Sequence, residues 1–275
     1  MHSRFQRLGF AMLAGPMLLV TSAMVGALSS VSCTSATAEK RVVLNTRIVA
    51  DDAIDAPIVN AYGWSLVLTR AALSIGPLYY WNGAPAFAEW KPRHDDGFFG
   101  IRSAHAHPGH YVPGDAMGQM LTPASVDLAL GEASLPPGEG VSGIYRSARF
   151  MFADKPVGDA AEVLGGHVVV LEGEGKKDTM VRVFRAEFDI ADVLDAADEP
   201  RVEGCAIEGE PDVQADGTMT VHLALSVWLD QVELDAVPES VDGTPVLLAR
   251  DSAAFRAIER GVKKAPAFRF QYSTP

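Results

Sequence analysis

Between residues 218 and 229 the chain alternates strictly. Val221, Leu223, Leu225, Val227 and Leu229 share one side of an extended backbone, and Thr220, His222, Ala224, Ser226 and Trp228 share the other. A period of two commits a segment to a half-buried strand, because successive strand side chains leave opposite faces. Such a strand needs partners, and the rest of the chain supplies candidates. Residues 41–49 are rich in β-branched side chains, and residues 64–75 form a long, mostly apolar run that Gly76-Pro77 is expected to break. Residues 145–152, 167–171, 180–190 and 267–272 complete the set, with 172–178 as the solvated tip of a hairpin. Helical signals are few. Asp251 or Ser252 can cap a short helix running to Val262 with Phe255, Ile258 and Val262 on one stripe, although Gly261 weakens its end. Residues 190–197 predict a second short helix. Long helices do not alternate with strands, which disfavours a parallel α/β sheet. The expected fold is therefore mostly β: an antiparallel β-sandwich of immunoglobulin or cupredoxin-like type, with one or two short helices and a long loop insertion.

Residues 1–38 read as an export signal. Arg4 and Arg7 precede an apolar run from 9 to 28, and small residues follow. Two processing routes fit. Ala36-Thr37-Ala38 is a small-x-small cleavage site, and Ser30-Val31-Ser32-Cys33 resembles a bacterial lipobox in which Cys33 is acylated. The expected location is the periplasm, or the outer membrane as a lipoprotein, with membrane contact only through the lipid. Residues 39–275 are then one domain. A net charge of -12 argues against nucleic acid, which is bound by clustered Lys and Arg. Of the two cysteines, Cys33 and Cys205, the second reads as a small buried residue.

The insertion spans residues 82–123 and differs from everything around it. It holds Pro85, Pro92, Pro108, Pro113 and Pro123, together with Phe87, Trp90, Phe98, Phe99 and Tyr111. Aromatics in that number argue for a held loop rather than a linker. His105, His107 and His110 lie within six residues of it, in a chain with seven histidines. On an extended segment His105 and His107 point to one side, and Pro108-Gly109 can turn His110 back towards them. Imidazole nitrogens suit Zn(II) or Cu(II), and a thioether would shift the preference to Cu(I). His94, Met117 and Met120 are further ligand candidates nearby, the two methionines by sharing a helical face at i, i+3. Asp95, Asp96, Asp115, His167 and His222 are also available.

The expected function is binding, delivery or storage of a copper or zinc ion, rather than turnover. Two other readings stay open: an envelope lipoprotein that recognises a protein or glycan through the aromatic loop, and a metal-dependent hydrolase. No His-Glu-x-x-His, nucleophile-elbow or phosphate-binding glycine motif is present.

The segments Tyr62-Gly-Trp-Ser-Leu-Val-Leu-Thr-Arg-Ala-Ala-Leu-Ser-Ile75 and Thr218-Met-Thr-Val-His-Leu-Ala-Leu-Ser-Val-Trp-Leu-Asp-Gln-Val232 resemble strands of the MbnP-like periplasmic copper-binding proteins. That resemblance implies a cupredoxin-like β-sandwich and copper. It covers about a fifth of the chain, assigns no ligand residue, and lacks the four-cysteine pattern of related proteins.

Overall fold

A single strand of seventeen residues organises the protein, which is described by a computed structural model over residues 40–52, 54, 56–86 and 111–275. In chain order the strands are β1 (Arg41–Ala50), β2 (Ile58–Val59), β3 (Ser65–Trp81), β4 (Ala116–Met120), β5 (Ala124–Asp127), β6 (Ala133–Val141), β7 (Gly143–Ile144), β8 (Ser147–Phe152), β9 (Val169–Lys177), β10 (Met180–Phe188), β11 (Arg201–Ala206), β12 (Asp212–Val213), β13 (Gly217–Leu223), β14 (Val246–Leu247) and β15 (Phe268–Ser273). The helices are α1 (Ala161–Leu164), α2 (Leu225–Leu229) and α3 (Ala253–Val262).

The expected break at Gly76-Pro77 does not occur; β3 runs through it. On one side its first half pairs with β9 and its second half with β8, while β2, β5 and β4 follow one another along the other side. Residues 76 and 77 have no ladder partner on either side. Proline offers no N–H, so it suits the point where a strand changes neighbours. Glycine suits it too. A Cβ at Gly76 would stand 3.1 Å from the Phe152 carbonyl oxygen, so the end of β8 can approach closely.

Beyond this junction the sheet divides. The first half of β3 continues through β9 and β10 to the short edge strand β14. The second half belongs to a path β3–β8–β11 and, on the other side, β4–β6–β1–β13–β15. Ile207, just past β11, bridges Phe270 of β15, so the strands come round on themselves. The result is a sandwich-like, mostly β fold as expected, with a mixed sheet: β1 and β13 run parallel, as do β10 and β14. Leu44 sits opposite Gly217, a pairing that no local connection makes.

The aromatic core fills the space within. Phe150 and Phe268 rings lie 4.4 Å apart, Phe152 meets Phe150 edge-on at 5.2 Å, and Tyr80 meets Phe270 edge-on at 6.0 Å. All five are buried. Aromatic pairs of this kind each contribute about 0.5–1.5 kcal/mol beyond their area.

The alternation at 218–229 holds only to Leu223. At Ala224 the chain turns, and Leu225, Trp228 and Leu229 are buried at helical spacing in α2. Trp228, expected on the polar side of a strand, is buried against Phe268 at 6.1 Å. Helix α3 forms as expected: the Ser252 hydroxyl accepts from the Phe255 N–H, and Phe255 stacks on Phe188 of β10 at 4.5 Å. Gly261 is a contact rather than a weakness. A Cβ there would lie 2.6 Å from the Trp228 backbone, so its absence lets α2 and α3 touch. The segment 190–193 is a single 3-10 turn. The hairpin at 172–178 is also tighter than expected. Lys177 pairs with Met180, and the turn is only Asp178-Thr179, with Asp178 at φ 53.

Candidate functional site

The strand registers gather one set of strand ends. The starts of β1, β4, β8 and β13 lie beside the ends of β3, β6, β11 and β15. The chain leaves this pole after Trp81 and returns to it at Ala116, so the histidine-bearing segment springs from here. His94, His105, His107 and His110 themselves lie outside the described residues, as do Asp95, Asp96 and Cys33.

The root of the segment is closely tied. Trp81 pairs with Ala116, and the Asn82 N–H donates to the Asp115 carbonyl at 3.1 Å. The Asn82 side chain both donates to the Asp115 carboxylate at 3.0 Å and accepts from the Asp115 N–H at 2.8 Å. One step further, the Gly83 N–H donates to the Pro113 carbonyl at 2.8 Å, and the Ala86 N–H donates to the Gly204 carbonyl at 3.1 Å. Gly83 is required here, since a Cβ would stand 2.3 Å from the Pro113 carbonyl oxygen. On the returning arm, the Ser147 hydroxyl donates to the Gly83 carbonyl at 2.7 Å, so the Tyr111 hydroxyl donates to Ser147 Oγ, also at 2.7 Å. Ser147 is wholly buried. Burial pushes the Tyr111 phenol above its ordinary range, opposed in part by the Ser147 hydrogen bond. The residue directly after His110 is thus anchored to the first residue of β8.

A cross-strand row leads away from this root over one face of the sheet. Arg149 of β8 stands opposite Tyr79 of β3, Tyr79 opposite Gln119 of β4, Gln119 opposite Glu139 of β6, and Glu139 opposite Val43 of β1. The Arg149 guanidinium sits over the rings of Tyr79 and Trp81, at 5.8 and 5.7 Å, and is held by Glu203 at 2.5 Å. The two rings lie 6.3 Å apart. Tyr79 and Trp81 share this face because they are two residues apart on one strand. Their spacing was visible in the sequence as Tyr79-x-Trp81, but their partners Arg149, Gln119 and Glu203 required the register.

The remaining candidates are dispersed. Met117 and Met120 lie on a strand, not a helix, and both are buried in the core. His222 Nδ1 is 2.9 Å from Asp51, which also binds Arg269. His167 lies between two carboxylates, 2.7 Å from Asp189 and 3.1 Å from Glu187. It thereby links two ion-pair strings, Asp127–Arg70–Glu172–Arg185–Glu187 and Asp189–Arg250–Asp192. Cys205 is buried with a free thiol, as expected, and burial pushes that thiol up to about 12. Among the described residues no group of three or more His, Cys, Asp or Glu side chains is placed to hold a metal ion. Nor is any described helix long and apolar enough to cross a membrane.

No family model matches the chain, and no curated protein matches it. Among solved structures the chain is similar to MbnP from Methylosinus trichosporium, at 12% identity and a TM-score of 0.43, over 86% of this chain and 100% of that chain.

Proposed function

We propose that the protein is exported and holds a copper or zinc ion through His105, His107 and His110, for binding, delivery or storage. The observation that carries this reading is the tied root. A segment rich in imidazole leaves and re-enters the sheet through a hydrogen-bonded collar, with Tyr111 fixed next to His110. Fixing both ends of a ligand-bearing segment lowers the entropy lost when its side chains converge on an ion. Export rests on the apolar leader, and an acylated Cys33 would supply a membrane attachment.

The test is direct metal titration of the mature protein with Cu(I), Cu(II) and Zn(II). Replacing His105, His107 and His110 together by Ala is expected to remove tight binding of one of these ions and leave the thermal midpoint in place. Equal affinity in both proteins overturns the reading.

A further inference from the structure

Gly118 of β4 and Gly140 of β6 face each other across a ladder, in the row whose side-chain positions turn to the core between Tyr80 and Val42. A cleft of about 500 Å³ lies above them, walled by Tyr79 and Val43 and rimmed by Arg41, Gln119 and Glu139. That volume falls in the range of roughly 300–1,000 Å³ that small-molecule sites occupy. The backbone floor is packed closely from beneath, which is why both positions are glycine. A Cβ on Gly118 would stand 2.8 Å from the Glu139 carbonyl oxygen, and one on Gly140 would stand 2.2 Å from the Tyr145 hydroxyl.

We propose that this cleft binds a neutral saccharide. The chemistry of the rim selects that class. Arg41 and Glu139 line the same cleft, and among the described residues neither has an ion-pair partner. Their charges cancel, so an anion meets Glu139 and a cation or metal meets Arg41. A ligand that both donates and accepts satisfies the two together, and a pair of neighbouring hydroxyls does so against planar side groups. Gln119 adds a third planar group; its amide donates to Glu139 at 3.2 Å, which fixes the carboxylate and leaves the other amide and carboxylate oxygens to accept. The Tyr79 hydroxyl makes no hydrogen bond within the described protein. The Tyr79 ring, flanked on its far side by Arg149, supplies with Val43 the apolar contact that the C–H face of a pyranose needs. The cleft is lined by none of His105, His107 and His110, so it stands or falls apart from metal binding through them.

Calorimetric titration of the mature protein with cellotriose, chitotriose and maltotriose tests the proposal, with the tripeptide Gly-Gly-Phe as a zwitterionic comparison. At least one trisaccharide is expected to bind with a dissociation constant below about 1 mM. The double variant R41Q/E139Q removes charge without disturbing a buried group, and Tyr79→Ala removes the ring. Each is expected to weaken that binding at least about tenfold while metal titration is unchanged. No trisaccharide bound at about 10 mM, equal binding in both variants, or tighter binding of the tripeptide overturns the proposal.

Discussion

The Tyr145 hydroxyl rests directly on Gly140. It lies 2.6 Å from the Met117 carbonyl oxygen and 2.9 Å from that of Val141, in the space that a Cβ on residue 140 would take. A buried phenol from the chain just before β8 thereby ties β4 to the end of β6 beneath the cleft. Gly140→Ala is expected to destabilise the protein by roughly 2–4 kcal/mol, through overpacking and a displaced hydrogen bond. Tyr145→Phe, which keeps the ring, should cost about 1–2 kcal/mol. Urea denaturation of the two variants checks both magnitudes and their order.

The Ser147 relay predicts a separation between stability and loop behaviour. Ser147→Ala deletes the donor to the Gly83 carbonyl and the acceptor for Tyr111, at an expected cost of about 1–2 kcal/mol. Tyr111→Phe removes only the outer bond and should cost less than about 1 kcal/mol. Both should speed proteolytic cleavage within residues 87–110 more than they lower the thermal midpoint, because both loosen the collar while the core stays intact. Parallel loss of midpoint and protection in Tyr111→Phe contradicts this.

Metal uptake through imidazole carries a pH signature. A ligand nitrogen must be free of its proton, so binding releases protons and affinity falls as pH drops below the ordinary histidine value of about 6.5. Titration at pH 7.5 and pH 5.5 should show weaker binding at the lower pH, with proton release seen as a buffer-dependent heat. Binding that does not change across this interval points to carboxylate or thioether ligands instead.

The buried thiol and phenol set the alkaline limit. Burial raises Cys205 to about 12 and raises Tyr80 as well. A group whose folded value is raised keeps its proton in the fold and loses it more readily when unfolded. Its contribution is therefore complete below the unfolded value and is lost as pH rises towards the folded one. Stability should fall from about pH 9 upwards, and Cys205→Ala should flatten part of that decline in denaturation curves measured from pH 8 to 11. At pH 8 a thiol reagent should label Cys205 only after unfolding, since the reactive thiolate is suppressed by burial.

Much of the architecture is legible in the residues, and the misreadings share a cause. The strands at 41–50 and 268–273 and the capped helix at 253–262 follow from local period and capping, which a sequence displays. Local pattern assigns Trp228 to a strand, because Leu225, Val227 and Leu229 continue the alternation of Val221 and Leu223. A helix of five residues also buries Leu225 and Leu229, and tertiary contact with Phe268 decides between them. Gly76-Pro77 looked like a terminus because its unpaired backbone is tolerated only where a strand exchanges neighbours, and neighbours are not local information. The same limit hid the row Arg149–Tyr79–Gln119–Glu139, whose members come from four strands. The histidine cluster was the reverse case: conspicuous as a motif, with only its collar of Asn82, Asp115, Tyr111 and Ser147 defined by contacts.

The pairing of Trp81 with Ala116 joins β3 to β4 at the root of the segment that leaves after Ala86 and returns at Tyr111. An insert of another sequence grafted between the same two arms would meet the same rung. The sheet and its cleft would persist through such an exchange, so two chains with this frame need have no ligand in common.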